Sequence, residues 1–224
     1  MEAMHNRQKV AESRLQSLRL QMNPHFLFNA LNSIQQMILA NEEMVATRYL
    51  SRFSKLLRTI LVHSDKETVT LNEELEILHL YIELEAIRFK DAFRYQIDLD
   101  EEMDTDEIKL PTLLIQPFVE NAIWHGLMHK ESQRELKICF SESCDFLHCT
   151  IEDNGVGRKH AQQTRNSDKK EKLHVSKGIQ VSMERLLSMH SKKGETGSLE
   201  IIDLHDENGK PSGTRVKINF PLQN

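Results

Sequence analysis

Apolar residues recur at helical spacing through the front of the chain and alternate with polar ones further on, which predicts a helical first part and a mixed second part. Met4, Ala11, Leu15, Leu18 and Met22 follow at steps of seven, four, three and four among charged neighbours, the seam of a parallel dimerising stalk. Continuing that phase past Pro24 would put His25, Asn29, Asn32 and Gln36 on the seam. The apolar stripe instead runs through Leu27, Leu31, Ile34 and Ile38, a two-residue jump that a proline kink explains, and His25 is expected to face away from the core. Ala46, Leu50, Phe53, Leu57 and Ile60 predict a second helix, joined to the first by a short connection at Asn41 to Glu43. Two such hairpins would bury both stripes as a four-helix bundle. Thr70 to Glu73 (TLNE) fits a capping box opening a third helix to about Phe89, expected to bridge two units.

Beyond it the pattern predicts a strand at Tyr95 to Leu99, a helix from Pro111 to Met128, strands at Leu136 to Phe140 and Phe146 to Ile151, a helix near Gly178 to His190, and strands at Leu199 to Leu204 and Thr214 to Phe220. Residues 158–177 hold almost no large apolar side chains and read as a long lid. The fold class is therefore α+β: a dimeric helical-hairpin domain, residues 1–68 with its stalk, followed by an α/β sandwich over residues 69–224.

A chain of 224 residues with 39% apolar content can bury a core without disulfides or metals. Cys139, Cys144 and Cys149 are an odd set with no zinc-like spacing, which fits a reducing, cytoplasmic setting. No apolar run reaches the roughly 18 residues of a membrane span. The formal charge of -5 argues against a nucleic-acid partner, because phosphate neutralisation dominates that affinity. Positive charge is concentrated: residues 158–177 carry seven Lys or Arg against Asp168 and Glu171. That segment is either a solvated loop or a basic lid for phosphates, with Arg158, Lys159 and Lys177, beside the glycine motifs, the candidate ligands.

Asp153-Asn154-Gly155-Val156-Gly157 follows a predicted strand, where an acidic side chain leaves the sheet and glycines admit a ligand to the backbone; alone, it could equally be a strand-ending turn. Glu120, Asn121, Trp124 and His125 share one helix face by their spacing, and Val119, Ala122 and Ile123 share the other. An Asn and a Glu beside a nucleotide could hold magnesium directly or through water. His25 falls on a polar helix face, where a lone histidine is ordinarily just solvated, and Asn29, at i+4, could hydrogen-bond its ring.

The order of these motifs, an Asn box, DxGxG, a lid with Gly178, then Gly213-Thr214, resembles the GHKL ATP-binding fold from about residue 111 to the end. LQMNPHFLFNALNSI, Leu20 to Ile34, is very similar to the phosphoacceptor box of the LytS-like sensor histidine kinases, and Leu71 to Phe89 resembles the same branch. The resemblance implies ATP and magnesium as cofactors, Asn121 as the magnesium-linked residue, Asp153 as acceptor for the adenine amino group and Thr214 as its support through water. It implies that Gly155 and Gly157 make room for the nucleotide and that Gly178 lies near the phosphates. His25 would take the γ-phosphoryl group of ATP and pass it to an aspartate of a response-regulator receiver domain, within a homodimer.

Three departures from wider kinase patterns matter. Trp124 stands three residues after Asn121 where many kinases have a cation, leaving phosphate compensation to His125 or the lid. Phe26 replaces the usual acidic residue after the phosphoacceptor, leaving Glu120 as the general-base candidate, and the second glycine box is only Gly178-Ile-Gln. The alternative is a degenerate dimeric relay that binds nucleotide without transferring phosphate. The chain is expected to be either a complete soluble kinase or the cytoplasmic portion of an inner-membrane sensor whose upstream segment lies outside it.

Overall fold

Pro24 is the first described residue of a helix that runs to Leu39. The computed structural model describes residues 24–63, 66–90, 92–131, 133–158, 177–191 and 194–222, with the side chains of Pro24, His25 and Lys177 outside it. The predicted stalk and most of the lid therefore lie outside the described residues. The chain divides into two compact units, one reaching to Lys90 and taking in Pro111–Leu113, the other comprising Asp91–Leu110 and everything from Leu114 onward.

In the first unit, α1 (Pro24–Leu39) and α2 (Glu43–His63) form the expected hairpin, turned at Asn41 in the left-handed region (φ 57). The buried face of α1 differs from the expectation. Phe26, Ala30, Ser33 and Met37 face inward, while Leu31 and Ile38 stay 56% and 55% exposed. The helix thus carries two apolar stripes, and the one with the small residues Ala30 and Ser33 is the one packed within the chain. On α2 the inward set is Ala46, Tyr49, Phe53, Leu56, Ile60 and His63, so Tyr49 and Leu56 replace the expected Leu50 and Leu57. The same cause operates on both helices: one chain fills only one side of the hairpin, and the stripe with the longest aliphatic run is left outward.

β1 (Thr68–Thr70) leads into α3 (Leu71–Arg88), and the capping box is complete. Glu73 N–H donates to Thr70 Oγ1 at 3.2 Å and Thr70 N–H donates to Glu73 Oε2 at 3.0 Å. Lys66 Nζ adds a 2.7 Å bond to the other Glu73 oxygen. These bonds hold the Glu73 carboxyl below its usual range, against the opposing effect of its burial. α3 packs on α2 and is buried on most of its circumference, which is why its apolar pattern has weak periodicity.

In the second unit, five strands lie in the order β2-β4-β5-β7-β6: β2 (Phe93–Leu99), β4 (Arg134–Glu142), β5 (Phe146–Asp153), β6 (Ser198–His205) and β7 (Pro211–Pro221). β2 runs parallel to β4, and the other neighbours are antiparallel. Alternation gives one apolar face: Leu136, Ile138, Phe140, Leu147, Cys149, Ile151, Val216, Ile218 and Phe220 are all buried. Helical segments cover that face. The predicted helix from Pro111 begins later, because β3 (Lys109–Pro111) and a turn with Leu113 at φ 58 come first. Buried Glu74 accepts the Leu113 N–H at 2.9 Å and so supports that turn. α4 (Gln116–Asn121) then starts with Pro117 in its first turn, so the second proline, and not Pro111, marks the helix start. It continues as a π turn (Ala122–Gly126) and a 3-10 turn (Leu127–His129), and α5 (Lys177–Leu187) packs beside α4. Among the described residues no helix is long and apolar enough to cross a membrane.

The reciprocal cap on α3 carries a stability prediction. Thr70→Ala removes one of its two bonds and is expected to lower unfolding free energy by about 1 kcal/mol, read as a lower urea midpoint at unchanged slope. An unshifted midpoint would remove the cap from the account of the fold.

Candidate functional site

Asp153 is the last residue of β5, and strand parity points its side chain to the apolar inner face. The rung it occupies runs Leu136, Asp153, Thr214, Asp203 across four strands. Only 3% of Asp153 remains exposed. Its Oδ1 accepts the Gly155 N–H at 2.9 Å, an Asx turn that bends the chain out of the strand. The Thr214 backbone N–H supplies a further bond. Burial nevertheless dominates, and the carboxyl is pushed up to about 7 against the lowering effect of those two bonds.

Three glycines pack around Asp153, one against its carboxylate, one against the backbone of the first and one against its main-chain carbonyl. A Cβ at Gly126 would lie 2.5 Å from Asp153 Oδ1, and a Cβ at Gly155 would collide with the Gly126 backbone. Gly213, at φ 143, presses on the Asp153 carbonyl in a conformation that L residues rarely adopt. Val156 N–H donates to the Gly126 carbonyl at 3.3 Å and ties the two motifs together. Gly126 was legible only as the first glycine of the chain, and its role as the floor beneath Asp153 appears in the structure alone.

Asn154 fixes the same turn from the other side. Its side chain accepts from Glu135 N–H at 2.9 Å and donates to the Gln133 carbonyl at 2.7 Å, while Lys130 Nζ donates to its carbonyl at 2.8 Å. Sequence reasoning passed over Asn154 and Lys130, and the DNG sequence was the available signal for the first.

Glu120, Asn121, Trp124 and His125 are half-buried, whereas Val119, Ala122, Ile123 and Gly126 are buried, which are the two faces the spacing predicted. The widened π turn, in which Leu127 N–H reaches the Ala122 carbonyl, begins directly after Asn121. The structure therefore brings Asn121 and His125 onto the segment that ends at Asp153. Gly178, in the first turn of α5, lies against Pro117 of α4, and a Cβ there would meet the proline at 3.5 Å, an ordinary separation. Gly157 (φ 75) abuts Pro211. Arg158 is forked onto Asp203 by bonds of 2.6 and 2.9 Å, which raise its already high pKa. A role for Arg158 at phosphates requires exchanging that carboxylate for a phosphate. Lys159 and the side chain of Lys177 lie outside the described residues.

The raised Asp153 pKa predicts a pH dependence of known sign. Below about pH 4 both folded and unfolded chains hold the proton, so ionisation costs nothing. As pH rises through the window between the ordinary value and about 7, only the unfolded state releases it, and stability falls. Asp153→Asn is expected to remove that decline and to gain stability over the unmutated chain above pH 7, by a few kcal/mol at most. Urea melts of both proteins from pH 4 to 8 would show parallel curves if the buried carboxyl has no such shift.

Residues 13–93 match the histidine kinase family. The sensor protein LytS of Enterococcus faecalis is 30% identical over 215 residues, covering 96% of this chain and 35% of that protein. The sensor histidine kinase YesM of Bacillus subtilis is 32% identical over 151 residues, 66% of this chain and 25% of that one. This chain thus spans between a quarter and about a third of these relatives. Among solved structures, the histidine kinase domain of a blue-light activated kinase from Erythrobacter litoralis aligns over 89% of this chain and 96% of its own, at 16% identity and a TM-score of 0.48. Through its match to the family and its likeness to LytS along nearly its whole length, the chain belongs to the histidine kinases, in the branch of sensor proteins that LytS exemplifies.

Proposed function

We propose that the chain is an ATP-dependent protein-histidine kinase that phosphorylates His25 and passes the phosphoryl group to an aspartate of a response-regulator receiver domain. The observation that carries this reading is the buried Asp153 carboxylate, with the Gly126 backbone against it, the Gly155 N–H bonded to it and Gly213 against its main-chain carbonyl. Burial outweighs the two backbone bonds this carboxylate accepts, so a further donor would stabilise its charge, and the flat edge of adenine offers an amino group that needs no Cβ near it. The residues present fit a nucleotide. Asp153 would accept the adenine amino group, Thr214 would hold the carboxylate, and Gly155 and Gly157 would leave space for the base. Asn121 would supply one oxygen to magnesium, an ion that keeps several waters and takes phosphate oxygens readily. Magnesium would neutralise charge on the transferring phosphates. His125, Gly178, Lys177 and Arg158 are the candidates to meet the rest of the triphosphate.

In the transfer step an imidazole nitrogen of His25 attacks the γ-phosphorus, the bond to the bridging oxygen breaks, and ADP leaves with that electron pair. The ring N–H proton passes to a base, for which Glu120 is the candidate. A neutral imidazole is a competent nucleophile near pH 7, so positioning is the main demand on the protein. By helical phase, position 25 shares the polar face of α1 with Asn29, Asn32 and Gln36, away from both apolar stripes.

The outward stripe supports a homodimer. Leu31 and Ile38 on α1, with Leu50 and Leu61 on α2 at 48% exposure each, line one side of the hairpin. A second hairpin against them would complete a four-helix bundle. We place the chain in the cytoplasm, where its receiver partner resides, as the kinase portion of a membrane-associated sensor.

Incubation with γ-labelled ATP and magnesium is expected to give acid-labile, alkali-stable label on the unmutated chain, and none on His25→Ala or Asn121→Ala. Label persisting on His25→Ala would end this reading. For the dimer, Leu31→Lys with Ile38→Lys leaves the intrachain core untouched and is expected to weaken self-association at least about tenfold, read by light scattering across a dilution series. An unchanged mass profile would place the interface elsewhere.

A further inference from the structure

Phe26, the residue beside His25, is only 8% exposed although it lies in the first described turn of α1. Its ring centroid is 6.0 Å from that of Phe53 on α2 and 5.6 Å from that of Tyr81 on α3, with interplanar angles of 51° and 44°. Such tilted arrangements let the positive edge of one ring meet the negative face of another, and they fix direction as well as distance. The other inward residues of α1 are Ala30, Ser33 and Met37, so Phe26 is the one aromatic anchor of this helix face, placed at the end that carries His25.

Consecutive helix positions are separated by about 100° of rotation. Pinning the ring at position 26 therefore fixes the azimuth of position 25 about a quarter turn away. We propose that Phe26 is a positioning residue for the phosphoacceptor: wedged between Phe53 and Tyr81, it sets the roll of α1 at its catalytic end and makes α3 part of the apparatus that presents His25.

The rest of the first unit supports α3 in that role. It is held along α2 by Arg52–Glu83 and by Lys55–Glu76 at 2.9 Å, and Lys90 just beyond it bonds Glu42 at 2.8 Å. Pairs this exposed contribute little individually, so the buried groups must carry the alignment. One turn along from the aromatic trio, Tyr49 of α2 is governed by its burial and by groups of α3. Burial and then Glu85 of α3 push its phenol up to about 12, while Arg88 of α3 acts in the opposite sense. The first and third helices are thus coupled through the aromatic contacts of Phe26.

The proposal rests on the kinase reading, and the test separates the two. In the full chain, Phe26→Leu and Tyr81→Leu keep an apolar side chain but remove the ring, and Tyr81→Phe keeps the ring. With ATP varied well below each variant's melting temperature, both leucine variants are expected to lose at least about tenfold in maximal autophosphorylation rate with KM for ATP unchanged, since small misplacements of a reacting group are costly. Tyr81→Phe is expected to stay within about twofold of the unmutated rate. Leucine variants at full rate, or a KM rising in step with the lost rate, would overturn the positioning role. A second readout needs no kinase activity: a nitroxide at position 25, introduced as His25→Cys in a background without Cys139, Cys144 and Cys149. Phe26→Leu and Tyr81→Leu should narrow its spectrum and Tyr81→Phe should not. Identical spectra in all four proteins would sink the proposal even if the kinase reading stands, and absence of label on the unmutated chain would sink the kinase reading alone.

Discussion

The second unit is organised around one close approach, the packing of the Gly126, Gly155 and Gly213 backbones around Asp153, with Gly126 against its carboxylate and Gly213 against its main-chain carbonyl. A carboxyl group on the apolar face of a sheet is unstable there unless its oxygens are met, and here they are met by main-chain N–H groups from Gly155 and Thr214. The carboxylate can sit there because Gly126, whose backbone lies against it, has no side chain. The requirement propagates outward. Gly126 must close the π turn that follows Asn121 and carries His125, and Thr214 must stand opposite Asp153 in the β5–β7 register. Moving any one of them by a single residue would replace a donor with a collision.

The first unit follows a different rule, set by the three faces of α1. One face, led by Phe26, is packed within the chain; a second, led by Leu31 and Ile38, is apolar and outward; the third is polar and includes position 25. A helix with two apolar stripes has two sets of neighbours to satisfy, which leaves one narrow sector for chemistry. The small residues Ala30 and Ser33 let α1 approach its intrachain neighbours closely, and the long aliphatic side chains suit a looser and larger contact.

Much of this was readable from residue types and spacing. The capping box at Thr70, the hairpin turn near Asn41, all five strands of the large sheet and the two faces of the segment around Asn121 follow from period, turn chemistry and capping. The inward stripe of α1 was not readable, because the heptad rule weights bulky aliphatics and overlooks an alanine and a serine that pack well against aromatic neighbours. The late start of α4 was hidden by having two prolines six residues apart, either able to open a helix. The pairing of Arg158 with Asp203 joins residues 45 positions apart across a strand order that no local pattern encodes. The glycine cradle was half legible: the motifs were visible, but that Gly126 lies against Asp153 is a statement about packing.

The two units also differ in what a substitution can reach. Around Asp153 the constraint is steric and made of backbone, so it tolerates no gradual adjustment: an added methyl either displaces the carboxylate or breaks the Asx turn. Around Phe26 the constraint is made of side chains, and aromatic rings of similar size can repack with modest cost. A binding pocket needs the first kind of rigidity, because its ligand is matched atom by atom. On the proposed kinase reading, a helix that presents one imidazole to more than one partner needs the second, where alignment is held by packing that can shift without the backbone breaking.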